Sequence, residues 1–131
     1  MIKRYLAKII AKDSQGLQLI SACCAGAKVK ISEIKYLPKN KIFLLSLERF
    51  SKEADNDNLK INSICKFEFV DSVKSKNVNQ NDLNLVLELF TIDLLKKKEN
   101  YEINLIFSNN TYITLSTEIV EATLEDQNKD L

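Results

Sequence analysis

The chain has 131 residues, 45% of them hydrophobic, with 19 basic side chains against 18 acidic ones and no histidine. That is one domain's length, enough to bury roughly two-thirds of the surface an unfolded chain exposes, and a net charge of +1 supplies no bulk field to draw in nucleic acid or an anionic membrane. Without histidine there is no Ser-His-Asp triad, no Cys-His dyad and no His-ligated metal, and two glycines, Gly16 and Gly26, cannot build a glycine-rich phosphate loop.

The opening MIKRYLAKIIAKD has no uninterrupted apolar core and no small-residue cleavage site, so it does not read as a signal peptide. Residues 3–11 read as a first strand. In DSQGLQLISACCAGA the spacing predicts a helix over 14–24. Asp13 or Ser14 is a good N-cap, because a side-chain oxygen there can accept a free first-turn amide. Leu17, Ile20 and Cys24 share one face, with Leu19 and Cys23 beside it, and Gly26 is the natural stop. A helix this short is marginal alone and must pack on something.

From residue 28 the period changes to two. KVKISEIKYL reads as a strand, and Pro38-Lys39-Asn40 as a turn. In KIFLLSLERF, alternation puts Phe43, Leu45, Leu47 and Arg49 on one face and Ile42, Leu44, Ser46, Glu48 and Phe50 on the other. Residues 51–58 read as a polar loop. KINSICKFEFVDSV reads as one strand with Ile61, Cys65, Phe67, Phe69 and Val73 on one face, and 75–82 as a polar connection. LNLVLELFTIDLL lines up Leu83, Leu85, Leu87 and Leu89. It carries Glu88 and Asp93 and falls well short of the roughly 20 apolar residues of a membrane helix. After the turn KKKEN, YEINLIF and TYITLS form the clearest hairpin, with Asn109-Asn110 suited to a primed turn. Residues 118–125 fit a strand or a helix, the strand spacing slightly better.

These elements predict an α+β fold: an antiparallel β meander of about seven strands, curved sheet or small barrel, with one helix after the first strand. A single globular domain is expected over 1–126, with 127–131 a frayed tail and Asp126 where order gives out. Cys23, Cys24 and Cys65 form no CxxC and fit a reducing, cytoplasmic setting; neither metal nor cofactor is expected.

The order of segments resembles the bacterial "domain of unknown function 2948" family. The similar pieces are Leu17 to Ala22, Val29 to Pro38 and Leu44 to Phe50, with the YLP and RF elements the sharpest, then FVDSVKSKNV and YITLSTEIVEATLEDQ. The resemblance covers nearly the whole chain. It implies a small cytoplasmic single-domain protein with no assigned activity, and it carries over no catalytic residue.

Arg49 is one of only two arginines beside 17 lysines, and it ends a core-facing row. Its flat fork fits a carboxylate or phosphate at two points, which lysine cannot do. The plainer reading is an internal pair with an Asp or Glu, Asp71 on the neighbouring strand being one candidate. The sharper one is an anion or acidic-peptide site at a barrel mouth, formed by Arg49 with Lys74 and Lys76. Three functions follow. The leading one is a non-catalytic module that binds another protein through a sheet edge or groove. The second is a small anionic-ligand or lipid-headgroup binder near Arg49. The third is an atypical enzyme without histidine, the least favoured because no catalytic motif is present. No nucleic-acid partner is expected, and an edge strand could also pair with a second copy to give a homodimer.

Overall fold

Helix α1 (Ser14–Cys24) forms where the spacing predicts it. In the computed structural model, which describes residues 7–53, 56–79 and 81–127, the side chain of Asp13 caps α1 by accepting the Gly16 amide at 2.8 Å. Gly26, at φ +83, takes the left-handed turn after the helix that a side chain would disfavour. Leu17, Ile20 and Cys24 are fully buried against the sheet, where α1 packs chiefly on β7 (Val86–Lys96) and β1 (Lys8–Ala11). Each buried Leu or Ile contributes about 1.5–3 kcal/mol, which is what holds so short a helix. The seam to β7 is also polar. A bulge between Leu89 and Thr91 frees the Ile92 amide, which donates to Ser21 Oγ at 2.9 Å.

Where α1 crosses β1 the backbones nearly touch: a Cβ on Gly16 would lie 2.9 Å from Ala11 Cα. Gly16→Ala should gain roughly 1 kcal/mol of helix propensity and lose about 1–3 kcal/mol to the forced shift. The expected outcome is net destabilisation in urea unfolding, larger for Gly16→Val.

The remaining strands are β2 (Ala27–Lys30), β3 (Ile34–Leu37), β4 (Ile42–Glu53), β5 (Asn56–Phe67), β6 (Val70–Lys76), β8 (Tyr101–Phe107), β9 (Thr111–Thr117) and β10 (Ala122–Asp126). All described pairings are antiparallel, in the order β1-β10-β5-β4-β2-β7-β8-β9-β6, with β3 also on β4. The α+β class with one helix after the first strand stands. The strand count and the meander do not: the described sheet has ten strands and is not closed. Only β3-β4, β4-β5, β7-β8 and β8-β9 join neighbours in sequence, whereas β10 returns to lie between β1 and β5, and β6 leaves β5 for β9.

Two of the expected strands break, which accounts for the higher count. Residues Ile31–Glu33 make one 3-10 turn, so β2 pairs with β7 and β3 with β4. The second break is at Phe69, which stands at φ +60, a conformation of high cost for a bulky residue. It reverses the alternation, so that Val70 is buried and Phe69 exposed, against the expectation of Phe69 on the core face. The corner is pinned by the Val70 amide donating to Lys41 O at 2.8 Å, the Tyr36 hydroxyl donating to Val70 O at 3.0 Å, and the Glu68 amide donating to Glu121 O at 2.9 Å. Leu83, also expected inside, is exposed before β7 begins. The expected loop at 51–58 is mostly strand, since β4 runs to Glu53 and β5 starts at Asn56; residues 54 and 55 lie outside the described residues. Asn109 and Asn110 both take positive φ, as the primed turn requires. Residues Ala122–Asp126 resolve the strand-or-helix choice as strand. Residues 3–6 of the expected first strand and 128–131 of the expected tail lie outside the described residues.

The core lies between α1 and the inner face of the sheet, with Phe43, Phe67, Phe107, Leu45, Leu105 and Leu115 among its fully buried side chains. Among the described residues no helix is long and apolar enough to cross a membrane.

Candidate functional site

Arg49 sits at the end of the core-facing row of β4, 7% exposed. The expected internal pair with a carboxylate forms, but Asp71 is not the partner. Asp71 is bound instead to Lys41 at 3.0 Å, on the surface, and this contact raises the Lys41 pKa. Arg49 faces Asp126 on β10, 77 positions away. Its Nε donates to Asp126 Oδ1 at 3.1 Å and its Nη2 to Oδ2 at 2.8 Å, a two-point fork on one carboxylate. Between them stands Ser63 on β5, which pairs in register with Asp126. Its hydroxyl accepts from Arg49 Nε at 3.2 Å and donates to Asp126 Oδ1 at 2.6 Å. Three adjacent strands thus contribute one polar residue each to a single buried cluster.

The same carboxylate ties down β1. Asp126 Oδ2 accepts the Ala7 amide at 2.8 Å, and the Asp126 amide donates to Ala7 O at 3.0 Å. Burial acts to raise the Asp126 pKa, but the hydrogen bonds from Arg49, Ser63 and the Ala7 amide outweigh it, and the net shift is downward. Asp126 is therefore a structural anion inside the sheet, not the start of a tail. Arg49 is likewise not an open receptor, because an incoming anion would have to displace Asp126.

Lys74 and Lys76 lie exposed on β6, at the far end of the strand order, with four strands between β6 and β4. The structure does not join them to the Arg49 cluster. They instead mark an edge: Lys76 faces the exposed ring of Tyr112 on β9, and Lys74 faces Thr114.

The three cysteines are free thiols. Burial pushes the Cys23 pKa up, with the Arg49 charge offsetting part of the effect. A hydrogen bond to Cys24, together with burial, pushes Cys65 well up. Thiols held protonated in this way are poor nucleophiles. Among the described residues, no group of three or more Cys, Asp and Glu is placed to hold a metal.

The profile of a family described as "Protein of unknown function (DUF2948)" matches residues 7–131. The chain belongs to this family. The match takes in α1, all ten strands and the Arg49–Ser63–Asp126 cluster. No curated protein and no solved structure matches the chain significantly. In this DUF2948 chain the residues that sequence reasoning missed are Asp126 and Ser63. A usable signal was present: in ATLED the alternation Ala122, Leu124, Asp126 continues to the last residue, just as Phe43, Leu45, Leu47 continues to Arg49. Two core-facing rows end in opposite charges.

Proposed function

We propose that this chain is a non-catalytic, cytoplasmic protein-interaction module that takes an extended acidic segment of a partner protein onto the edge of β6 that no other described strand pairs with. The supporting observation is the position of β6 at the end of the strand order, with Lys74 and Lys76 exposed along it. An edge strand offers a row of backbone donors and acceptors to an incoming strand. Lys74 and Lys76 project to the same side by the two-residue period, and among the described residues neither is held in an ion pair. They oppose pairing with a second β6, which would bring lysine against lysine, and favour an acidic segment, so one device gives both rejection and selection. Tyr112, opposite Lys76, adds an apolar surface for a partner side chain. The protonated thiols and the absence of histidine favour binding over catalysis.

The test is a titration of the isotope-labelled protein with a short synthetic peptide alternating Glu and Val, followed by amide NMR. The expected result is saturable shifts along β6 and β9, with affinity falling about tenfold or more in Lys74→Glu/Lys76→Glu, as loss of a charged rim implies. Shifts spread over the whole surface, or equal affinity in the variant, would defeat the proposal.

A further inference from the structure

Among the described residues five besides glycine take positive φ, and three of these are asparagine, which accepts that conformation at little cost. Phe69 is the one aromatic residue in the set. Packing does not account for it: Phe69 is 39% exposed and belongs neither to the core nor to the half-buried side chains packed against it. The corner does not call for it either, since the three hydrogen bonds that pin the turn come from the Val70 amide, the Glu68 amide and the Tyr36 hydroxyl. Asparagine or glycine at 69 would make the same turn with less strain. A strained residue that neither packs nor pins is a candidate for binding.

Phe69 stands at the head of β6, and the usable edge of that strand is short. At the near end the Val70 amide is bonded to Lys41 O at 2.8 Å and the Val70 carbonyl to the Tyr36 hydroxyl at 3.0 Å, while the Asp71 carboxylate holds Lys41 at 3.0 Å. At the far end Asn77 turns the chain away at φ +63; its carbonyl accepts from Thr111 Oγ1 at 3.1 Å and its side chain donates to Asn110 O at 2.8 Å. Between these stops lies the run Ser72 to Lys76. An incoming strand that fills this run ends, on the side away from Lys76, at the corner where Phe69 is exposed.

We infer that Phe69 is a specificity-determining residue of the β6 edge, an anchor for a large apolar side chain at the end of the acidic partner segment that meets the corner. This rests on the reading of β6 as the docking edge, and it adds what the partner must carry. The segment is short, has acidic residues toward Lys74 and Lys76, and adjoins an apolar residue at one end only. The division of labour is the usual one at interfaces, in which a buried apolar anchor supplies affinity and a charged rim supplies selection.

The test titrates the labelled full chain with three peptides, followed by amide NMR: the alternating Glu–Val peptide alone, and the same peptide with a phenylalanine added at its N-terminal or its C-terminal end. One of the two extended peptides should bind about tenfold more tightly than the plain one and bring the amides of Phe69 and Val70 into the shifted set. Phe69→Asn should bind the plain peptide as the wild type does and lose the gain, whereas Phe69→Tyr, which keeps the ring, should retain it. In urea unfolding the midpoint of Phe69→Asn should rise, because asparagine tolerates the left-handed turn. No gain from either extension, a gain that survives in Phe69→Asn, or a midpoint below that of the wild type would overturn the inference and leave the edge reading standing. A plain peptide that moves no β6 amide would defeat the edge reading, and the inference with it.

Discussion

Arg49→Ala should cost about 3–5 kcal/mol of folding stability, the magnitude for removing one partner of a buried ion pair. It leaves Asp126, whose side chain is 1% exposed, ionised and facing only Ser63 and the Ala7 amide. Against a total stability of about 5–15 kcal/mol for a domain of this kind, that is a large fraction. Arg49→Lys should recover only part of it, since an ammonium group cannot make the two-point contact. Removing both charges tells pairing from burial: Arg49→Met/Asp126→Leu should be far less harmful than either single change, because no lone charge remains inside. Urea unfolding of the two singles and the double completes the cycle. Singles within about 1 kcal/mol of wild type would show that the cluster does not hold β10 in place.

The same cluster sets a pH signature. The Asp126 pKa is lowered in the folded state, from an ordinary value of 3.8. Its contribution is therefore fully present above that value and is lost as pH falls through the lower folded one. Wild-type stability should decline across that acid window more steeply than that of Asp126→Asn, which lacks the titration; parallel curves would contradict the assignment.

Phe67→Ala carries the second large effect. Phe67 is fully buried, and its ring centroid lies 6.3 Å from that of Phe43 with planes tilted by 49°. It pairs with Phe43 on β4 and Ala122 on β10, so truncating it opens a hole where three strands meet. The expected loss is about 3–5 kcal/mol, part transfer and part cavity. Phe67→Leu, which keeps more of the volume, should lose clearly less. Phe67 stands at one end of the β4–β5 ladder and Arg49 lies six positions along β4 from Phe43, the residue Phe67 faces, and the two share no partner, so their losses should add in the double variant. A strong departure from additivity, measured by the same unfolding, would show that the two sites are coupled.

What the sequence made legible was local. The helix was readable to its ends because a cap, a 3.6-residue apolar stripe and a glycine stop lie within a few residues of each other. The row Phe43, Leu45, Leu47, Arg49 was readable from alternation alone. The break at Phe69 was not, because a left-handed residue there carries none of the glycine or asparagine signals that mark Asn109-Asn110. The partner of Arg49 was hidden for a different reason. Asp71 lies closer in sequence, but partner choice depends on strand order, and order is set by packing across the whole chain. With β6 turned away at Phe69 and β10 inserted beside β5, Asp126 is the carboxylate that meets the guanidinium. The edge lysines were legible as residues and not as an edge, for the same reason.

The pairing of β1 with β10 has a consequence for biosynthesis. Ala11 and Ala122 lie side by side though 111 positions apart. A ribosome adding roughly 5–20 residues per second leaves β1 waiting on the order of 5–20 seconds for its neighbour. For about the second half of that interval the flank of β5 that will receive β10 is uncovered on the nascent chain, since Phe67 precedes its partner Ala122 by 55 positions. Translation speed through the second half of the message therefore sets how long chaperones, or other nascent chains, have access to that flank.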